Sequence, residues 1–281
     1  MRGTTPVPRR PAATGTESAT RVADVLLLFL EQPVHGVSAI ARTLNLSKAV
    51  VHRILQSLVS RSLIDYDESR REYQLGAGIA ALGAQALSKL DLRTTALPVL
   101  RGLAGETEET VTLSALVGLS RVYLDQLPSL KEIKMTVEVG RPFPLHAGGS
   151  SRAILAFAPP DLRTMVLDEA LPAFTPDTIT SRDALEAALA ETARTGVAVS
   201  LGERQDGAGS VAAPLFGPHG EVVGAISVCG PATRFDADVT RRFGPLALDA
   251  AVEISRLLGW DGRLPAGVDN PFTDTTAGST R

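Results

Sequence analysis

Apolar residues first recur at helical spacing at Val22, Val25, Leu26, Phe29 and Leu30, the i, i+3, i+4, i+7 and i+8 positions of one amphipathic face. Thr20 is placed to cap this helix, and Pro33 and Gly36 to end it. A shorter helix is predicted over 38–44, a tight turn at Asn45-Leu46, and a third helix over 48–61 with Ser47 as its N-cap. The period then changes from helical to strand-like. Leu63-Ile64 and Tyr73-Gln74-Leu75 read as two strands around a polar turn at 67–71. Three short helices followed by a hairpin predict a winged helix-turn-helix over 21–75.

On a helical wheel the third helix places Val51, Ile54, Leu55 and Leu58 on one side, as a core stripe. Ala49, His52, Arg53 and Gln56 face the other way. A major groove admits a helix, and there Arg pairs bidentately with guanine and Gln with adenine. Ser47 and Lys48 stand at the helix N-terminus, which favours phosphate. In the hairpin turn, Arg70 and Arg71 are placed to reach the DNA backbone or the minor groove.

A second helical stripe, Ile79, Leu82, Gly83, Ala86, Leu87 and Leu90, predicts a helix over 77–91, within a linking and dimerisation segment at 76–95. Beyond it, 96–260 mixes periods. Strands are expected over 111–116, 121–127, 134–139, 197–201, 209–214 and 222–228. Helices are expected near 96–105, 151–157, 182–195 and 236–258. The fold class is therefore α+β, with a largely antiparallel sheet flanked by helices. Residues 1–20 read as a disordered arm and 261–281 as a flexible tail.

Composition changes this picture little. At 44% hydrophobic and 4% aromatic, the core must be built from Ala, Leu and Val. The net charge of −3 is unevenly spread: residues 1–75 carry ten Lys and Arg against seven Asp and Glu, a net of +3, and the remainder carries −6. A basic N-terminal quarter on an acidic body fits one DNA-binding module carried by a sensor. No apolar run approaches a membrane span, and the single cysteine, Cys229, points to the cytoplasm. Enzyme signatures are missing from the sequence. There is no G-x-S-x-G elbow, no P-loop and no zinc-ligand spacing among His35, His52, His146 and His219. Gly207-Ala208-Gly209-Ser210-Val211-Ala212 precedes a strand instead of following one, so it is no dinucleotide fingerprint. No catalytic residue, metal site or cofactor is expected.

The chain resembles the IclR family of bacterial regulators. The likeness runs through Thr20-Arg21-Val22-Ala23-Asp24-Val25-Leu26, Ser38-Ala39-Ile40-Ala41, Leu46-Ser47-Lys48-Ala49-Val50-Val51-His52-Arg53-Ile54-Leu55 and Tyr73-Gln74-Leu75-Gly76. It resumes at Gly140-Arg141-Pro142-Phe143-Pro144-Leu145-His146-Ala147, at Val211-Ala212-Ala213-Pro214-Leu215 and at Gly224-Ala225-Ile226-Ser227-Val228-Cys229-Gly230-Pro231. The resemblance implies a GAF-like or profilin-like effector domain over 96–260, and a homodimer or homotetramer. It maps the effector-facing polar positions to Gly149, Ser150, Ser200, Ser210, Ser227 and Cys229.

The expected ligand is a small organic acid held by neutral donors, with no buried Arg or Lys in view. The N-terminus of the helix near 151–157, opened by Gly148-Gly149-Ser150-Ser151, is expected to favour its carboxylate, and the two glycines would allow it close approach. The competing ligand is apolar or lactone-like, with Met135, Val137 and Leu145 lining the same pocket. The chain departs from the family where Ala49-Val50 replaces Ser-Thr, leaving Val50 to touch a thymine methyl. It departs again where Ser151-Arg152 replaces Gly-Lys, and where Ser200 stands in an acidic run. An alternative function is a sensor that acts through protein partners with weak or no specific DNA binding. Activator and repressor are not distinguished.

Overall fold

The computed structural model describes residues 16–30, 32–88, 92–264 and 271–272, and leaves the side chains of 84–88 undescribed. The chain divides into two compact units, Met1–Leu90 and Asp91–Arg281. Residues 1–15 of the expected arm lie outside the described residues, but 17–20 are helical instead of disordered; most of the expected tail and Leu90 of the linking stripe also lie outside, while Phe272 of the tail is buried in a core.

In the first unit, α1 (Glu17–Leu28), α2 (Val37–Thr43) and α3 (Lys48–Val59) pack around Val25, Leu28, Ile40, Val51, Leu55 and Leu58. The sheet order is β1 (Val34–His35), β3 (Glu72–Leu75), β2 (Ile64–Asp67), all antiparallel. The short strand β1 was not expected. His35 anchors it by bonding the Leu28 carbonyl at 2.9 Å and packing edge-on against Phe29. Helix α1 begins earlier than its apolar stripe suggests. Its cap position is Thr16, so Thr20 is not the cap but lies inside the helix. Asn45 takes φ 52, the left-handed geometry that asparagine tolerates, and this lets α3 turn away from α2. Ser47 caps α3 as expected, its Oγ accepting from Val50 N at 3.3 Å. Helix α4 (Ala77–Ser88) follows, and its Leu82 is 61% exposed.

The second unit is a six-stranded antiparallel sheet in the order β6-β5-β4-β9-β8-β7. Its strands are β4 (Thr110–Val117), β5 (Ser120–Leu127), β6 (Pro142–Pro144), β7 (Ala198–Leu201), β8 (Ala208–Phe216) and β9 (Val222–Pro231). Alternation along the central strands makes the two faces different. Val111, Leu113, Val211, Ala213, Ile226 and Val228 form one face. They pack in one core with α5 (Leu92–Thr107) and α9 (Ala237–Leu257). The first turn of α5 takes up residues 92–95, expected at the end of the linking segment. The other face holds Thr110, Thr112, Ser114, Ser210, Ser227 and Cys229 at one end. Its apolar end, with Ala212 and Ala225, packs in one core with α6 (Gly149–Ala156), α7 (Pro160–Asp168) and α8 (Arg182–Thr195).

One expected strand does not form. Residues 134–139 run as an extended strap, because side chains supply the partners a neighbouring strand would. Gln126 Nε2 donates to the Val137 carbonyl at 2.7 Å, and Val137 N donates to Gln126 Oε1 at 2.8 Å. Thr110 Oγ1 donates to the Met135 carbonyl at 2.7 Å. The sheet edge is taken instead by the shorter β6, which pairs with β5.

Candidate functional site

Helix α3 keeps its amphipathic division in the fold. Val51, Leu55 and Leu58 are buried, while Ile54 and Val50 are half-buried. Ser47, Lys48, Ala49, His52, Arg53 and Gln56 are exposed. The Arg53 guanidinium makes no hydrogen bond or ion pair among the described residues, so five donors stand free on an outward helix face. In the wing, Asp67 Oδ1 accepts from Ser69 N at 2.9 Å and from Arg70 N at 3.1 Å, which fixes the turn. Arg70 and Arg71 are both exposed at its tip, Arg71 with φ 55. Lys48 and Arg53 on α3 and Arg70 and Arg71 in the wing are thus exposed basic residues within one unit.

In the second unit, antiparallel register gathers residues from distant parts of the chain. Thr110 lies opposite Cys229, Cys229 opposite Ser210, and Ser210 opposite Ser200, a row of hydroxyls and a thiol across four strands. Beside it, Thr112 lies opposite Ser227, and their hydroxyls bond at 2.9 Å. A cavity of about 40 Å³ opens on this row. Gly149, Ser150, Ser200, Ser210, Ser227, Cys229, Met135 and Val137 all line it. Burial pushes the Cys229 thiol up to about 12, so it stands there as a neutral S–H group. A larger groove of about 670 Å³ lies between α8, α9 and the free edge of β7, and contains none of the residues expected to bind an effector.

Four expectations about this site need correction. Leu145 does not line the pocket; it is fully buried in the core with α6 and α8. Gly149 does not open a path for a ligand. A Cβ there would lie 2.8 Å from Ser210 Oγ and 3.3 Å from the Ala198 carbonyl, so the glycine lets α6 press against the sheet. The N-terminus of α6 already holds a carboxylate from the chain itself, since Gly148 N donates to Glu203 Oε2 at 3.1 Å. Glu203 is in turn paired with Arg152 at 2.7 Å, both nearly buried.

The fourth correction is the largest, because a buried arginine is present. Arg121 is 1% exposed and lines the cavity. Its Nε donates to Ser151 Oγ at 2.8 Å and its Nη1 to Ser114 Oγ at 3.2 Å, while its guanidinium carbon sits 4.2 Å from the Tyr123 ring centre. Tyr123, Arg204 and Gln205 also line the cavity and were likewise not anticipated. One signal was legible: Arg121 and Tyr123 are two apart on a strand and so share a face.

The strap carrying Met135 and Val137 is tied down at the sheet end by Glu109. This carboxylate is bonded by Arg234 through both oxygens at 2.7 Å and by Lys131 Nζ at 3.0 Å. Burial works to raise its pKa, yet these cations outweigh burial and hold it below the ordinary range. Among the described residues, no group of three or more His, Cys, Asp or Glu is arranged to hold a metal, and no helix is long and apolar enough to cross a membrane.

Comparison with known proteins bears on both units. Residues 18–68 match the family model described as the IclR helix-turn-helix domain, and residues 84–256 match that of the bacterial transcriptional regulator IclR C-terminal domain. The chain is 31% identical to the HTH-type transcriptional regulator BhcR of Paracoccus denitrificans, over 86% of this chain and 87% of that protein. It is 29% identical to the regulator KipR of Bacillus subtilis, over 84% and 94%. Among solved structures, an IclR transcriptional regulator from Alicyclobacillus acidocaldarius aligns with a TM-score of 0.75 at 27% identity, covering 87% of this chain and all of that one. An IclR homolog from Microbacterium hydrocarbonoxydans, complexed with 4-hydroxybenzoate, aligns with a TM-score of 0.72 at 26% identity, covering 86% and 99%.

Proposed function

Because the chain belongs to the IclR family of bacterial transcriptional regulators, a DNA-binding regulator with a C-terminal effector-binding domain, we propose that it reads DNA through the outward face of α3 and answers to a small organic acid bound at the Thr110–Cys229–Ser210–Ser200 row. A role as a sensor without specific DNA binding is not favoured, since the helix-turn-helix matches its family model. The relatives are regulators, and our reading assigns the protein no catalytic step and places it in the cytoplasm. The observation that carries the effector assignment is chemical: the cavity is lined by arginine, hydroxyl and thiol groups and by no Asp or Glu. That lining complements an anion, and the 4-hydroxybenzoate of the Microbacterium homolog is a carboxylate of this kind.

Fluorescence anisotropy with the chain's own upstream DNA tests this reading. We expect salt-dependent binding tighter than to random DNA of equal length, and a shift in affinity on adding one of a panel of small carboxylic acids. Equal affinity for the two DNAs would refute it.

We further propose a homodimer formed through α4. The support is an apolar helix on which Leu82 is largely exposed, together with the two-fold sites that helix-turn-helix proteins bind. Placing a charge at that contact, Leu82→Glu, should give a monomer by light scattering and weaken DNA binding. A parent protein that is itself monomeric at micromolar concentration would end the proposal.

A further inference from the structure

The effector cavity contains two guanidinium groups, Arg121 and Arg204, and no carboxylate. The nearest acids are committed elsewhere: Glu203 to Arg152 and Gly148 N, Glu109 to Arg234 and Lys131. Arg121 is bonded only to neutral hydroxyls. Arg204 is half-buried and makes no hydrogen bond or ion pair among the described residues. The two cations flank the same aromatic pair. Arg121 lies 4.2 Å from the Tyr123 ring centre and 5.1 Å from that of Phe143; Arg204 lies 6.0 Å and 4.9 Å from the same rings. Burial holds Arg121 below its ordinary pKa, and the charge of Arg204 pushes the same way.

A buried cation without a counter-ion is costly, and a second, half-buried one beside the same rings adds to the cost. A ligand with one negative charge relieves only one of them. We propose that the effector is a dianion, a small dicarboxylate. One carboxylate meets Arg121 among the deep hydroxyls of Ser150 and Ser227, and the other meets Arg204 at the mouth. This rests on the effector-pocket reading above and deepens it. The cavity of about 40 Å³ has room for a few waters but not for such an acid. Binding therefore displaces Arg204, which makes no hydrogen bond or ion pair among the described residues and gives up only its place beside the Phe143 and Tyr123 rings.

Titration calorimetry with matched acids differing by one carboxylate tests the inference: butyrate against succinate, pentanoate against glutarate, benzoate against terephthalate. In the parent, one or more dicarboxylates should bind about ten- to a hundredfold tighter than the matched monoacid, the worth of one charge-assisted contact. In Arg204→Gln that margin should vanish. Arg121→Met, with its fold checked by circular dichroism, should weaken both members of a pair. A parent that binds the two members equally, or a margin that survives in Arg204→Gln, overturns the dianion. If monoacids bind as well as diacids and both are lost in Arg121→Met, the pocket reading stands and only the second charge falls. If no acid of any pair binds the parent, both fall.

Discussion

Replacing Arg152 with methionine is expected to cost the C-terminal unit about 3–5 kcal/mol, the usual penalty for breaking a buried ion pair from one side. Arg152 and Glu203 are 2.7 Å apart with both side chains nearly buried. Burial disfavours both charges, lowering the pKa of Arg152 and raising that of Glu203. The pair is thus a poor source of net stability but an expensive one to break. Arg152 also donates to the Val199 carbonyl, so its loss strips a hydrogen bond from an edge strand. In a unit of this size the melting temperature should fall by about 6–20 °C.

The pH dependence follows from the direction of the Glu203 shift. Its folded pKa is already raised above the ordinary value, and without the attraction of Arg152 it rises further. An acid with a raised folded pKa binds more protons folded than unfolded, so its stability contribution is present below the unfolded pKa and lost as pH rises through the folded one. The deficit of Arg152→Met should therefore widen as pH rises from the ordinary carboxylate range through neutrality. Thermal unfolding across that range checks it. A deficit that narrows as pH rises would show that Glu203 does not remain buried in the variant.

Arg53→Ala should have the largest effect on DNA recognition. Its guanidinium is exposed on the outer face of α3 beside His52 and Gln56, without a partner to hold it back. A bidentate contact to a base is worth about 1–3 kcal/mol, or roughly five- to 150-fold in affinity at a cognate site. Random DNA should lose much less. Arg70→Ala in the wing should behave differently, weakening cognate and random DNA alike and reducing the salt slope by about one. Anisotropy titrations on both DNAs at several salt concentrations separate the two. Parent-like cognate affinity in Arg53→Ala would mean that another face of the protein reads the bases. Neither variant should alter the melting temperature much, since both residues are exposed.

The helix-turn-helix and its reading face could be read from residue order alone. Local periodicity is enough to sort Val51, Leu55 and Leu58 inward from His52, Arg53 and Gln56, and a cap needs only Ser47 and the residues just after it. Most of the sheet strands were legible for the same reason; β1 and β6, too short to show a period, were missed, and the strand expected over 134–139 shows where that reason stops. Residues 134–139 have strand-like composition, but whether they pair depends on what lies across from them, and there Gln126 and Thr110 offer side chains in place of a strand.

The chemistry of the pocket came from contacts made on folding. Alternation assigned Ser227 and Cys229 to one face of their strand, but register across the sheet set Cys229 between Thr110 and Ser210. A residue's partners lie up to 125 positions away, as with Arg234 and Glu109, and no local pattern encodes them. Arg121 looked like the ordinary start of a strand until the fold closed over it. Glu203, 55 residues from Gly148, took the helix terminus that a ligand had been expected to fill. Local sequence constrains which way a side chain points; long-range packing decides which charges it meets there, and those charges select the ligand.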